Sequence, residues 1–223
     1  LEQLFHVKSL VGSRLKTVVF MGMGEPLDNM DAVCPAITRM MLSWMFALSH
    51  RHITVSTVGV PRGIVRLARE HPNVYLALSL HAPTQEARLK IVPTASGNTL
   101  ERIMAALDEY LEVSQNESMI EYIMLRGLND SEEQARQLGA LFQHRNAWVN
   151  LIPYNPTAAG DRFDYECTPD EEIARFQEIV MGFGVKTIVR WSTRSGQDVN
   201  AACGQVSSPR PRAATMMFCK NMP

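Results

Sequence analysis

Residues 53–83 read ITVSTVGVPRGIVRLAREHPNVYLALSLHAP, and this stretch decides the fold. Ile53-Thr-Val-Ser-Thr57 and Val74-Tyr-Leu-Ala-Leu78 are short runs rich in β-branched and aromatic residues, the composition of strands. Between them Pro61 opens a segment carrying Ile64, Val65, Leu67 and Ala68, closed by His71-Pro72, which reads as a helix. Strand, helix and strand in succession make a βαβ unit, whose strands run parallel. Near-continuous apolar runs of this length are those buried on both faces of a parallel sheet.

The same alternation extends outward in both directions. Further strand runs are Thr17–Met21, Met119–Met124, Val149–Ile152 and Lys186–Arg190. Thr99 can cap a helix with Ile103, Met104, Leu107, Tyr110 and Leu111 on one face, and Met40, Met41 and Met45 cluster on another helix as core filler. Asp130-Ser-Glu-Glu opens a helix bearing Ala135, Leu138, Leu141 and Phe142. Thr168-Pro-Asp-Glu opens one bearing Ile173, Phe176, Ile179 and Val180, with Thr168 as the cap and a stop at Gly182 or Gly184. The fold class is α/β, either an open doubly wound sheet or a partial (β/α) barrel. In both, ligands gather at the C-terminal ends of the strands. One domain over residues 1–206 is expected, followed by an irregular tail over 207–223.

Composition narrows the function classes. The 223 residues include 22 Lys+Arg against 23 Asp+Glu, a net charge of −1, so a nucleic-acid partner would need a local basic patch or another segment. With 46% hydrophobic residues the chain can fill a core, which excludes collagen-like and disordered classes. No apolar run reaches the roughly 18–20 residues that span a bilayer, and no membrane partner is expected. The cysteines, Cys34, Cys167, Cys203 and Cys219, are scattered, which suits a reducing cytoplasm. Without CxxC or CxxxCxxC spacing they form no cysteine-only metal site of the usual kind, so no metal ligand is expected.

The residues that follow the strands carry the chemistry. Gly22-Met-Gly-Glu-Pro26 follows the first, letting backbone approach a ligand and presenting Glu25 to a cationic group such as an amine. Ser56-Thr-Val-Gly59, Ser79-Leu-His81-Ala-Pro83 and Pro153-Tyr-Asn155-Pro156 follow later strands. Glu25, Ser56, Ser79, His81 and Asn155 would then surround one mouth, suited to a small polar, zwitterionic or nucleoside-like ligand. Taken singly, each has an ordinary reading: Ser56 satisfying backbone groups, His81 as a structural hydrogen bonder, Asn155 holding a turn. GxGxxG, GxSxG and Walker motifs are absent. Cys203, between two alanines and a glycine, is a nucleophile if exposed and an inert small hydrophobe if buried.

Taken together, FMGMGEPL (20–27), ITVSTVG (53–59), LALSLHAP (76–83), IEYIMLRGLND (120–130), LIPYNP (151–156) and DVNAACGQV (198–206) resemble one family. It is the radical S-adenosylmethionine (SAM) methyltransferases of adenine C2 in ribosomal and transfer RNA, the RlmN family, with their C8-methylating relatives, the Cfr family. The resemblance implies a partial (β/α)6 radical-SAM barrel in the cytoplasm, or in an organelle of a eukaryote. It implies that Gly24 and Glu25 bind the methionine moiety of SAM and that Ser56, Ser79, Leu80, His81 and Asn155 complete the SAM site. Cys203 would carry a methyl group taken from one SAM. A second SAM, cleaved reductively at a [4Fe-4S] cluster, would supply the radical that activates that methyl for addition to adenine. The implied partners are 23S rRNA, transfer RNA and an electron donor such as flavodoxin or ferredoxin, with the complete protein a monomer.

Gly24-Glu-Pro26 and Ile152-Pro-Tyr-Asn155 are more similar to the C2 enzymes, whereas Phe46-Ala-Leu-Ser49 is similar to the C8 ones. The family's CxxxCxxC cluster loop, a second cysteine, a general-base glutamate and an RNA-binding domain lie upstream of these motifs. The expectation is therefore an N-terminally truncated form without the first strand and cluster loop, inactive by itself. A non-enzymatic SAM- or RNA-binding remnant is the alternative.

Overall fold

A computed structural model describes residues 1–156 and 163–191. Its elements in chain order are α1 (Glu2–Val11), β1 (Val18–Phe20), α2 (Met30–Met41), β2 (Ile53–Thr57), α3 (Pro61–Glu70), β3 (Tyr75–Ser79), α4 (Gln85–Ile91), α5 (Leu100–Ser114), β4 (Ser118–Met124), α6 (Glu132–Phe142), β5 (Ala147–Pro153), α7 (Asp170–Gly182) and β6 (Thr187–Val189). The six parallel strands follow one another in chain order, and each expected strand run falls on one of them. Val18 lies opposite Ile53, Val55 opposite Leu76, and Val149 opposite Thr187. Among the described residues no helix is long and apolar enough to cross a membrane.

The chain divides into two compact units. The first comprises Leu1–Ser79 and Thr94–Met119. Ile53 and Val55 of β2 and Leu76, Ala77 and Leu78 of β3 are wholly buried, as near-continuous apolar runs require. On α3 the buried residues are Pro61, Gly63, Ile64, Leu67 and Ala68, and this helix packs on α5, whose buried residues include Ile103 and Leu107. Each such Leu or Ile contributes about 1.5–3 kcal/mol by leaving water. Thr99 caps α5 as expected, its hydroxyl accepting from the Arg102 amide at 3.5 Å. The Tyr110 hydroxyl on α5 donates to the Val74 carbonyl at 2.7 Å, tying helix to strand within the core.

The second unit comprises Leu80–Pro93 and the described residues from Ile120 onward. Here α6 packs on α7, burying Ala135, Leu138 and Phe142 of one and Ile173, Phe176 and Val180 of the other. Gly139 allows a close approach, because a Cβ there would stand 2.4 Å from the Phe183 ring. A reciprocal capping box, Ser131 with Gln134, starts α6.

Two helical expectations need correction. Pro169, not Thr168, is the cap residue of α7, and it makes no side-chain cap bond. The Thr168 hydroxyl instead donates to Asp130 Oδ2 at 2.8 Å, which draws it away from the orphan amides of the helix. Met45 lies beyond the end of α2 rather than on it. α1 and α4 were not read from the sequence at all. Leu1, Phe5, Val7 and Leu10 are exposed and only Leu4 is buried on α1, so no apolar stripe announces that helix.

Candidate functional site

In the first unit the turn after β1 carries Glu25. Gly22 and Gly24 have φ of 121° and 75°, values that L side chains rarely adopt, while the space beside each is open. The backbone path, not crowding, thus calls for glycine. That path delivers the Glu25 carboxylate to two backbone donors: the Leu27 amide reaches Oε1 at 2.9 Å and the Val58 amide reaches Oε2 at 2.9 Å. The acid is pinned between the chain segments that leave β1 and β2. Each oxygen keeps a further lone pair for a cationic partner. At the C-terminal ends of β2 and β3, Ser56 Oγ and Ser79 Oγ lie 3.5 Å apart.

The second unit places Leu80 and His81. Leu80 is wholly buried, and its amide donates to the Glu121 carbonyl at 3.0 Å. His81 has φ of 61°, in the left-handed region that a side chain with a Cβ disfavours. Its Nδ1 accepts from the Ile123 amide at 3.2 Å, so the ring proton sits on Nε2. Burial, and secondarily the charge of Arg88, pushes its pKa down to about 4. At neutral pH His81 is therefore a neutral ring that donates through Nε2–H. Asn155, after β5, is buried and donates to the Pro153 carbonyl at 3.4 Å. Cys203 and the rest of its motif lie outside the described residues.

Two residues not singled out from the sequence hold His81 in this conformation. Asn129 is fully buried, and its Nδ2 donates to the carbonyls of His81 at 2.7 Å and Ile123 at 2.6 Å. Its Oδ1 accepts from the Leu125 amide at 2.7 Å, and its carbonyl accepts from the Tyr122 hydroxyl at 2.6 Å. Both polar atoms of the side chain are thus used on backbone groups, tying the segment that carries the histidine to the end of β4. Arg88, buried on α4, donates from Nε to the Leu80 carbonyl at 3.2 Å, and burial lowers its pKa. The available signal for Asn129 was an asparagine two residues after Gly127 in the loop after an apolar strand; for Arg88 there was none.

The comparisons with known proteins agree with one another. Residues 5–139 match the model of the radical SAM superfamily. Over 97% of its length the chain is 43% identical to a probable dual-specificity RNA methyltransferase RlmN of Thermus thermophilus, covering 60% of that protein. Over 92% of its length it is 38% identical to the ribosomal RNA large subunit methyltransferase N of Nitrosopumilus maritimus, covering 58% of it. A crystal structure of a radical SAM methyltransferase from Sphaerobacter thermophilus superposes with a TM-score of 0.83 at 36% identity, over 90% of this chain and 57% of that one. The chain thus spans about three-fifths of the length of the relatives it matches. With βα units throughout and a family match over more than half its residues, the chain belongs to the radical SAM superfamily.

Proposed function

We propose that this chain is the SAM-binding part of an RNA methyltransferase that methylates C2 of an adenine in 23S ribosomal RNA, with transfer RNA as a second substrate. The observation that carries the reading is the Glu25 carboxylate, held by the Leu27 and Val58 amides at the strand ends with lone pairs to spare. The similarity to relatives named as dual-specificity RNA methyltransferases, running along nearly the whole chain, supports the RNA substrate.

The donor set suits SAM. A carboxylate matches the ammonium of its methionine moiety, and serine hydroxyls, a neutral imidazole N–H and a carboxamide match its polar atoms. We assign Gly24, Glu25, Ser56 and Ser79 of the first unit, and Leu80, His81 and Asn155 of the second, to that cofactor. SAM supplies, when bound, both the methyl group and the precursor of the radical. A [4Fe-4S] cluster does not fit the four cysteines of this chain, which lack the CxxxCxxC spacing, so none of them is assigned to it. Cys203 is assigned as the thiol that carries the methyl group. Adenine C2 is an electrophilic amidine carbon and cannot itself displace methyl from a sulfonium, whereas a thiolate can.

Calorimetry with SAM on this chain tests the binding assignment; heat of binding that weakens in Glu25→Gln is expected, and no binding by the native chain would overturn it. For the reaction, mass spectrometry of RNA modified by the complete enzyme should show 2-methyladenine, lost in Cys203→Ala. An 8-methyladenine product would move the enzyme to the Cfr type. SAM binding without any methylated product would leave a binding module.

A further inference from the structure

The first unit holds a second group of reactive side chains, outside the strand-end residues. Cys34 lies within α2, Glu70 is the last residue of α3, and His71 is the cap residue that follows it. One ligand atom from each lies within 4.8 Å of the other two. We propose that Cys34, Glu70 and His71 bind a divalent cation of the zinc class.

The donor chemistry selects that class. A thiolate sulfur, an imidazole nitrogen and a carboxylate oxygen together are borderline-soft ligands, the set that zinc takes and that magnesium or calcium does not. His71 Nε2 stands 3.2 Å from the Cys34 carbonyl oxygen. An imidazole donating there carries its lone pair on Nδ1, and a backbone carbonyl is a usual support for a metal-binding histidine.

Local charge favours a cation. Arg66 pairs with Asp31 at 2.7 Å and with Glu70 Oε1 at 2.6 Å, so two carboxylates share one guanidinium and one negative charge is left over. The C-terminal end of α3 adds partial negative charge from its last carbonyls. Because Arg66 occupies one oxygen, Glu70 would bind through a single oxygen. A cleft of about 230 Å³, lined in part by His50, Glu70 and His71, opens beside two of the three ligands.

Binding has a definite proton balance. The Cys34 thiol, pushed up to about 12 by burial and then by its hydrogen bond to Glu70, is protonated in the metal-free protein. The cation replaces that proton, forming one metal–sulfur bond and releasing one proton to solvent. Tetrahedral zinc at about 2.0–2.3 Å per bond needs donors roughly 3.3–3.8 Å apart. With donor atoms within 4.8 Å of one another, the ligands close by at most about 1–1.5 Å, a movement to which the 42%-exposed Glu70 side chain has freedom to contribute.

Cobalt(II) titration of the full chain is the test. A near-ultraviolet thiolate-to-cobalt band with visible bands of a tetrahedral ion is expected. Both should be lost in Cys34→Ser, kept in Cys203→Ser, and displaced by zinc with release of one proton per ion. His71→Gln should weaken zinc binding by at least about ten-fold, and Glu70→Gln should lose the zinc-dependent rise in melting temperature. Absence of the charge-transfer band in the native chain, or its survival in Cys34→Ser, would falsify the site. Should Cys34→Ser fail to fold, by circular dichroism, the other two variants decide: native zinc affinity in both overturns the proposal.

Discussion

Glu25 and His81 both stand just past a strand and both accept from backbone amides, yet the chain supports them differently. Glu25, in the first unit, is pinned by two backbone amides supplied by neighbouring turns. His81, in the second, also meets one backbone amide through its ring, that of Ile123, but the backbone that carries it is held by buried side chains: Asn129 grips its carbonyl, and Arg88 grips the carbonyl one residue before it. The backbone-pinned group can be changed without stripping partners from the core. The network-pinned group cannot, because its supports are buried and each also satisfies something else. Stability and ligand binding should therefore separate at Glu25 and travel together at His81.

Asn129→Ala should break the second arrangement with the largest effect. It leaves the His81 and Ile123 carbonyls and the Leu125 amide without their side-chain partner. Buried polar groups left unsatisfied cost roughly 1–3 kcal/mol each, so a loss of about 4 kcal/mol and a melting point lower by roughly 10 °C are expected. Thermal and urea unfolding would show it. A loss under about 1 kcal/mol would mean that the left-handed His81 is held by something other than this network.

The next effect comes from acid. His81 has its folded pKa lowered to about 4, against 6.5 for an ordinary histidine. Between these values the unfolded chain binds a proton that the folded chain refuses, so stability falls as pH drops from 6.5 to 4 and is unaffected above 6.5. The full loss is at most about 3–4 kcal/mol. Urea unfolding at pH 7, 5.5 and 4.5 should trace this slope, and His81→Gln should flatten it. An equally steep slope in that variant would assign the acid limb to carboxylates.

Much of this contrast could be read before any coordinates, and the part that could not has a physical reason. Residues 53–83 disclosed strand, helix and strand because the apolar spacing of Ile64, Leu67 and Ala68 reports directly on burial. Glu25, Ser56, Ser79 and His81 were visible because position after a strand is itself a sequence property. Asn129 was not, since its partners are backbone groups, one of them 48 residues away, and backbone atoms leave no trace in residue identity. Arg88 breaks the rule that guanidinium groups stay exposed. Thr168 looked like a cap until Asp130, 38 residues earlier, competed for its hydroxyl.

Glu25→Gln sharpens the other half of the comparison. An amide can accept from only one of the Leu27 and Val58 donors, which costs about 1 kcal/mol of stability. If Glu25 meets the ammonium of SAM, losing a charge-assisted hydrogen bond of about 1.5–3 kcal/mol should weaken binding roughly 10- to 100-fold. Calorimetry and unfolding on the same variant give the two numbers. Equal losses in both would erase the distinction drawn between the units.

The smallest effect asks how far the second unit's network extends. Ser131 follows Asn129 by two residues, and its hydroxyl accepts from the Gln134 amide at 3.3 Å while Gln134 Oε1 accepts from the Ser131 amide at 3.1 Å. Ser131→Ala removes one side of this box and should cost about 1 kcal/mol, or roughly 2–4 °C. Gln134 Nε2 still reaches the Leu128 carbonyl at 2.8 Å, so the turn that carries Asn129 keeps an anchor that does not pass through the serine. The His81 titration, followed by NMR, should then stay near pH 4 although the helix is weakened. A rise toward 6.5 would show that the start of α6, and not Asn129 alone, keeps the imidazole buried, which would make His81 dependent on a helix terminus.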